Sequence, residues 1–135
     1  MNKLAVVTGG ASGIGQAVVE RLARDNFTVV ILDIDEEGGK QVAAEIQGRG
    51  KHATSMHLDV TQENGVEAAF RKIISDHGRI DALVNVAGGS LHRHKIEEFP
   101  LDHWQAVIDV NLTSTFLSLP GSNRCNEESG KAARL

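Results

Sequence analysis

Four short apolar runs alternate along this chain with three segments of helical periodicity, and this alternation restricts the fold more than any other feature. The runs cover residues 4–8, 28–33, 53–58 and 82–86, and the third is the weakest of them. Continuous apolar runs of this length are typical of strands that are covered on both faces. Strands that alternate with helices form a parallel sheet with helices on both sides. The sequence therefore predicts an α/β fold built on a doubly wound parallel sheet.

A further helix is predicted from residue 101 or 102, after a loop over residues 90–100 that is rich in basic side chains and histidine. Helical spacing predicts that one face of this helix packs into the core. The apolar residues of that face are Trp104, Val107, Ile108, Leu112, Phe116 and Leu119. We expect Trp104, and Phe70 from the third helical segment, to be core residues.

The last part of the chain lacks a recognisable pattern. Pro120 and Gly121 are expected to end the last helix, because neither residue favours its continuation. Residues 122–135 have few apolar side chains and mixed charge, which is typical of disorder. A chain of 135 residues fits one ordinary domain. The sequence therefore predicts one domain over residues 1–121 and a disordered tail over residues 122–135.

Composition excludes some classes of partner. The formal net charge of −4, without a cluster of Lys and Arg, argues against a nucleic-acid surface. No stretch is apolar for long enough to cross a membrane, so we expect no membrane partner. Cys125 is the only cysteine, which rules out an intrachain disulfide and favours a reducing, cytoplasmic location.

A glycine-rich turn lies between the first apolar run and the first helix, over residues 8–15 with the sequence Thr-Gly-Gly-Ala-Ser-Gly-Ile-Gly. Glycine allows a sharp turn and a close approach of a ligand to the backbone. The N–H groups of the first helical turn have no intrahelical partner, so they attract negative charge. The turn therefore predicts a binding site for a pyrophosphate.

An acidic residue supports a dinucleotide as the ligand. Asp33 ends the second strand, at about the offset of 20 residues at which such an acid reaches the ribose hydroxyls. A phosphate-binding P-loop would need a lysine after the glycines, which is absent. A site for a nucleotide-like methyl donor also uses a glycine-rich first turn, but usually has an acid where this chain has Thr8. Asp33 could alternatively be a simple surface carboxylate.

Four motifs, in order, resemble those of the short-chain dehydrogenase/reductase family. The turn over residues 8–15 resembles the TGxxxGxG fingerprint, and Asp59-Val60 is similar to the pair that contacts adenine. Residues 85–88, Asn-Val-Ala-Gly, are similar to the family's Asn-Asn-Ala-Gly segment, with valine as a departure. Asn111 stands where the family has its active-site asparagine. The resemblance covers roughly residues 3–119.

The resemblance implies a Rossmann-type sheet, here incomplete, with strand order 3-2-1-4. It also implies a nicotinamide cofactor and a small alcohol or carbonyl substrate. Because Asp33 would accept both ribose hydroxyls and repel a 2′-phosphate, and because Ser12 and Ile34 provide no positive charge, we expect NAD rather than NADP. The implied cofactor-binding residues are Gly9, Ala11, Ser12, Gly13, Ile14, Gly15, Asp33, Asp59, Val60, Asn85, Ala87 and Gly88.

The absence of tyrosine limits the chemistry that this chain can perform. Family catalysis uses a serine and a Tyr-x-x-x-Lys pair, in which the tyrosine exchanges a proton with the substrate. Asn111 therefore occupies a relay position without its partners, or is simply an amide at a helix cap or kink. Two hypotheses remain open: a dehydrogenase represented by its cofactor-binding half, or a non-catalytic nucleotide-binding pseudoenzyme or truncated gene product, for example after a frameshift.

Three further expectations concern the remaining polar and apolar features. His92 and His94 could form a metal pair or supply a substitute acid, but we recognise no third ligand nearby, so we expect a solvated basic patch and no metal. Asp59 could also act as an N-cap for a helix starting at Thr61. The fourth strand would form an edge of the sheet, and the last helix would be partly uncovered. We therefore expect a marginal fold or one stabilised by self-association as a homo-oligomer.

Overall fold

The computed structural model describes residues 2–119, which form alternating strands and helices. The elements are β1 (Leu4–Thr8), α1 (Gly13–Arg24), β2 (Thr28–Asp33), α2 (Glu36–Gly48), β3 (Ala53–His57), α3 (Glu63–His77), β4 (Ala82–Asn85) and α4 (Leu101–Ile108). A 3₁₀ turn (Ile96–Glu98) precedes α4, and a π-helical segment (Asp109–Thr113) follows it and leads into helical residues 114–119. Among these residues, no helix combines the length and the apolar character that a membrane crossing requires. The predicted helix end at residues 120–121 and the predicted tail lie outside the described residues.

The four strands form one parallel sheet in the order β3-β2-β1-β4. Val6 of β1 lies between Val30 of β2 and Leu83 of β4. The predicted fold class and strand order are thus confirmed. Within the described residues β4 pairs only with β1, so β4 is an edge strand, as predicted. β3 and β4 each end one residue earlier than predicted, although Leu58 and Val86 still donate backbone hydrogen bonds to Asp33 and Thr8.

Both faces of the central strands β1 and β2 are buried, because their side chains point alternately to opposite sides and helices pack on each side. On one face, Val6, Val30 and Leu32 pack with Phe70 and Ile73 of α3. Phe70 is fully buried, which confirms its predicted place in the core. On the other face, the cluster combines strand residues with residues of α1 and α2, namely Val7, Val29, Ile31, Val19, Val42 and Ile46.

The last helix does not bury the face that its spacing predicts. Trp104 is 49% exposed, and Leu112 and Phe116 are more exposed still, so their predicted burial is wrong. For Phe116 the reason is the π-helical segment, which inserts an extra residue and rotates the face that follows it. Trp104 precedes this segment, and its exposure agrees with the expectation that the last helix is partly uncovered. After this segment the buried residues are Ser114 and Ser118, whose hydroxyls donate to the carbonyls four residues earlier at 2.7 and 2.9 Å.

The start of β4 is tied to the start of β1 through Asp81. Its carboxylate accepts a hydrogen bond from the Leu4 N–H at 2.8 Å and pairs with Arg79. Burial opposes ionisation, but the hydrogen bonds from Arg79 and Leu4 and the positive charges of Arg79 and Lys3 hold the pKa of Asp81 below its usual value. This contact aligns the two strands whose opposite ends meet at the cleft described next.

Candidate functional site

A cleft of about 670 Å³ opens at the carboxyl ends of the strands. It lies at the end of β1, which is flanked by β2 on one side and β4 on the other. The chain adds β2 and β3 on one side of β1 and then returns to add β4 on the other side. Ligands of open parallel sheets bind at this kind of switch point. The volume is within the usual range for ligand pockets. The cleft is lined by the glycine-rich turn, by the residues at and after the ends of β2, β3 and β4, by Ala106 of α4, and by Asp109 and Val110 of the π-helical segment.

Most of the residues that the family resemblance implies for cofactor binding line this cleft. They are Gly9, Ser12, Gly13, Ile14, Gly15, Asp33, Asp59, Val60, Ala87 and Gly88. Ala11 and Asn85 are not among the lining residues. Ala11 is buried behind the turn, and Asn85 is the last residue of β4, paired with Thr8. The structure therefore brings together residues that are far apart in sequence, while their binding roles stay predictions.

The glycine-rich turn depends on close backbone contacts. A Cβ atom on Gly15 would lie 1.8 Å from the carbonyl oxygen of Gly9, so the first turn of α1 packs directly against the turn backbone. Gly13 has a φ of +55°, and a Cβ there would have no atom within 4 Å. Gly15 thus serves packing, whereas Gly13 leaves open space at the helix start.

The N-terminus of α1 lacks the groups that normally neutralise it. Its N-cap, Ser12, makes no side-chain capping bond, and the first turn contains no acidic residue. By contrast, α2 is capped by the side chain of Asp35 and carries Glu36 and Glu37 in its first turn. The positive end of a helix attracts anions. Of these two helices, α1 is therefore the one whose start favours an anionic ligand.

Asp33 is held in a fixed orientation at the side of the cleft. Its Oδ2 accepts a hydrogen bond from the Ala11 N–H, and its Oδ1 accepts one from the Asp35 N–H, both at 2.9 Å. The half-buried carboxylate therefore joins β2 to the glycine-rich turn and is more than a simple surface side chain. Each oxygen retains a second lone pair for a ligand.

Asp59 makes a turn rather than a helix cap. Its Oδ1 accepts hydrogen bonds from the backbone N–H and the hydroxyl of Thr61, at 3.0 and 2.7 Å. Helix α3 begins only at Glu63, with Gln62 as its N-cap. The alternative role of Asp59 as an N-cap for a helix starting at Thr61 is therefore wrong. The turn places Asp59, Val60 and Thr61 along the cleft.

Asn111 anchors the segment after β4 to the last helix. Its Nδ2 donates to the carbonyl oxygens of Gly89 and Val107, both at 2.8 Å, and its Oδ1 accepts from the Gly89 N–H at 3.0 Å. Asn111 lies within the π-helical segment, where the helix departs from regular geometry. Its contacts agree with the alternative interpretation of Asn111 as an amide at a helix kink. A Cβ on Gly88 would lie 2.5 Å from Asn111 Oδ1, which shows how closely the two segments approach.

Thr8 is a positioning residue that the sequence did not reveal. Its side chain is buried, and its Oγ1 accepts hydrogen bonds from the N–H groups of Val86 and Ala87, each at 3.2 Å. It thereby fixes the segment after β4 beside the glycine-rich turn. The signals in the sequence were a hydroxyl at the end of an otherwise apolar strand and the place of Thr8 at the start of the turn that resembles the TGxxxGxG fingerprint.

We predict that Thr8→Val destabilises the chain by about 1–2 kcal/mol, because the N–H of Ala87 loses its acceptor in a partly buried place. Thr8→Ser keeps the oxygen and should preserve most of the stability. Thr54→Val, at an exposed position of β3, is the matched control and should have little effect. Urea unfolding followed by circular dichroism measures all three. Equal midpoints for Thr8→Val and the unchanged chain would contradict the role of Thr8.

The basic loop contains a cluster that corrects another expectation. His103, from the first turn of α4, lies beside His92 and His94, and the nearest ring nitrogens of the three are all within 4.8 Å of one another. The expectation that no third ligand lies near this pair is therefore wrong. Spacing along the sequence does not show this contact, because α4 folds back on the loop that precedes it.

Comparison with known proteins gives consistent matches. The family model described as short chain dehydrogenase matches residues 3–123. An uncharacterized oxidoreductase of Thermotoga maritima is 40% identical over 126 residues, which are 93% of this chain and 48% of that protein. The cyclopentanol dehydrogenase of a Comamonas strain is 40% identical over 86% of this chain and 46% of its own length. The chain thus spans about half the length of the curated relatives it matches.

Solved structures extend the likeness to three dimensions. The crystal structure of gox2181 matches with a TM-score of 0.91 at 33% identity, over 97% of this chain and 51% of that one. A metagenomic short-chain oxidoreductase, solved in complex with NADP, matches with a TM-score of 0.89 at 30% identity, over 96% of this chain and 59% of that one.

Proposed function

Because this chain belongs to the short-chain dehydrogenase family, we propose that its cleft binds a nicotinamide dinucleotide. The family binds nicotinamide cofactors and acts on small alcohol or carbonyl compounds. One observation carries the proposal: the uncapped start of α1 shares a single cleft with two fixed carboxylates, Asp33 and Asp59. An anion-binding helix end beside hydroxyl-binding carboxylates suits a dinucleotide, which combines a pyrophosphate with sugars.

The residues of the cleft fit such a ligand part by part. The backbone N–H groups of Gly13, Ile14 and Gly15 would hold the pyrophosphate. Asp33 would accept hydrogen bonds from the adenosine ribose, and Asp59 with Val60 would border the adenine. The open space beside Gly13 supports this fit, because a side chain there would occupy the volume that we assign to the pyrophosphate.

We propose NAD as the preferred cofactor on the basis of the residues beside the ribose. The Asp33 carboxylate would repel the 2′-phosphate of NADP, and neither the neighbouring Ile34 nor Ser12 offers a positive charge. A solved relative contains NADP, so family membership alone does not decide between the two cofactors. The proposal rests on the charges of this chain.

Asp33→Asn should lower the affinity for NADH by about tenfold to a hundredfold, because a charged hydrogen bond contributes about 1.5–3 kcal/mol. The affinity for NADPH should rise in the same variant, because the repulsive charge is removed. Asp35→Asn is the matched control: Asp35 caps α2 two residues away and is not among the lining residues. Calorimetric titration with both cofactors measures these changes. Tighter binding of NADPH than of NADH by the unchanged chain would overturn the proposed preference.

We further propose that this chain binds the cofactor without catalysing hydride transfer. A bound nicotinamide supplies hydride exchange with an alcohol or carbonyl carbon. The chain contains no tyrosine to exchange the accompanying proton, and Asn111 is engaged with Gly89 and Val107. The competing hypothesis, family dehydrogenase activity on an alcohol or ketone, predicts turnover by the chain itself.

Self-association and a cytoplasmic location are two further proposals for this chain. The last helix exposes apolar surface at Trp104, Leu112 and Phe116, and β4 is an edge strand among the described residues. Both features favour a homo-oligomer. The single cysteine, Cys125, favours a reducing compartment. Neither proposal bears on the cofactor site.

A further inference from the structure

Three histidines converge at the start of α4, outside the proposed cofactor contacts. His94 Nε2 and His103 Nδ1 are 3.1 Å apart, within hydrogen-bond distance. The rings of His92 and His103 stack with centroids 3.6 Å apart and planes 9° apart. One nitrogen from each ring lies within 4.8 Å of the other two. This separation places three potential ligand atoms around one small volume.

We propose that His92, His94 and His103 form a binding site for a divalent transition-metal ion, with Zn²⁺ as the best fit. Imidazole nitrogens bind zinc at about 2.0–2.1 Å, which puts two ligands of a tetrahedron about 3.4 Å apart. The pair formed by His94 and His103 already has nearly this separation. The ring of His92 lies parallel to that of His103, so it has to turn out of this stack before its in-plane lone pair meets the same ion. A water molecule would supply the fourth ligand.

Phe99 packs against two of the three rings. Phe99 makes edge contacts with His94 and His103, with centroid distances of 5.4 and 6.5 Å and planes at 86° in both cases. The hydroxyl of Ser90 donates to the carbonyl oxygen of His92 at 3.1 Å, which fixes the backbone on that side. A site in which ring positions are set by packing loses less entropy when a metal binds.

The charge and exposure of the segment also suit a cation. Residues 92–103 contain three carboxylates, on Glu97, Glu98 and Asp102, against two basic side chains, on Arg93 and Lys95. His94 is exposed, so an ion can enter from solvent. In the metal-free chain, His94 and His103 can share only one proton between their facing nitrogens, whereas a metal ion would engage both lone pairs.

A metal ion bound at this site would stabilise one wall of the cleft. His92 directly follows Leu91, and His103 lies one helical turn before Ala106, and both Leu91 and Ala106 line the cleft. A metal held by both segments would cross-link the loop after β4 to α4. The proposed ion is therefore structural and does not depend on the presence of a dinucleotide.

The test is calorimetric titration of Zn²⁺ into the chain, prepared without a polyhistidine tag and freed of metal with a chelator. Co²⁺ then reports the ligand geometry through its visible absorption. The variants are His94→Gln and His103→Gln; because His94 is exposed, its variant should keep the fold, which circular dichroism checks. The controls are His57→Gln, at the exposed last residue of β3, and Cys125→Ser, which removes the only thiol.

We expect one Zn²⁺ per chain, at least about tenfold weaker binding in each triad variant, and unchanged binding in both controls. Absorption typical of tetrahedral Co²⁺ should be lost in the same two variants. The proposal is overturned if the unchanged chain binds no Zn²⁺, if His94→Gln and His103→Gln bind as the unchanged chain does, or if a control loses as much affinity as they do. None of these outcomes depends on cofactor binding.

Discussion

Replacing Gly15 by alanine is expected to cost this chain more than about 4 kcal/mol of folding free energy, a loss of exceptional size for a single methyl group. The added Cβ would lie 1.8 Å from the Gly9 carbonyl oxygen and 2.6 Å from its carbon. Both are backbone atoms of the turn, so no side-chain rotation relieves the clash. Helix α1 would have to move away from the sheet. A domain of this size has about 5–15 kcal/mol in total, so the variant should lose a large share of its stability.

Gly48→Ala is the matched control for this variant. Gly48 is the last residue of α2, and a Cβ there would meet no atom within 4 Å. Alanine at such a position is expected to be neutral or to stabilise by up to about 1 kcal/mol. Urea unfolding followed by circular dichroism compares the two. Similar midpoints for Gly15→Ala and Gly48→Ala would show that the contact between turn and helix is not as close as described.

The second large effect concerns binding rather than folding. Gly13→Asp should weaken NADH binding by at least about a hundredfold, because it places a carboxylate at the helix end that we assign to the pyrophosphate, and opposed like charges cost several kcal/mol. The fold should survive, since a Cβ on Gly13 has open space around it. The φ of +55° adds a backbone cost of about 1–2 kcal/mol for a residue with a side chain.

Gly50→Asp separates the charge effect from this backbone cost. Gly50 also has a positive φ, of +73°, and open space around a Cβ, but it is not among the residues that line the cleft. Both variants should therefore lose similar stability, while only Gly13→Asp loses affinity in a calorimetric titration with NADH. If the two variants bind NADH equally well, the pyrophosphate does not lie at the start of α1.

The centre of the sheet could be predicted from the sequence because β1 and β2 are buried on both faces. β1 and β2 have the predicted bounds, since each is an apolar run that ends at a polar residue on the cleft side. The glycine-rich turn and Asp33 were predictable for a different reason: their chemistry is local in sequence. Their meeting in one cleft follows from the parallel topology, which brings the carboxyl ends of the strands together.

The features that were missed depend on contacts between distant segments or on a local break in periodicity. Thr8 bonds to backbone 78 and 79 residues away, and no pattern in the sequence indicates that pairing. The stripe through Trp104 and Phe116 assumes a regular helix, whereas the π-helical segment around Asn111 shifts the buried face to Ser114 and Ser118. His103 was overlooked because the return of α4 toward the loop is a tertiary contact.

Titration of the folded chain with NADH, together with an assay for NADH oxidation, tests the central claim most directly. Circular dichroism and light scattering first establish that the chain is folded and monodisperse. The account predicts saturable binding of one NADH per chain, weaker binding of NADPH, and no oxidation of NADH with a panel of ketones and aldehydes. Absence of NADH binding by the folded chain would contradict the cofactor site, and turnover would contradict a non-catalytic chain.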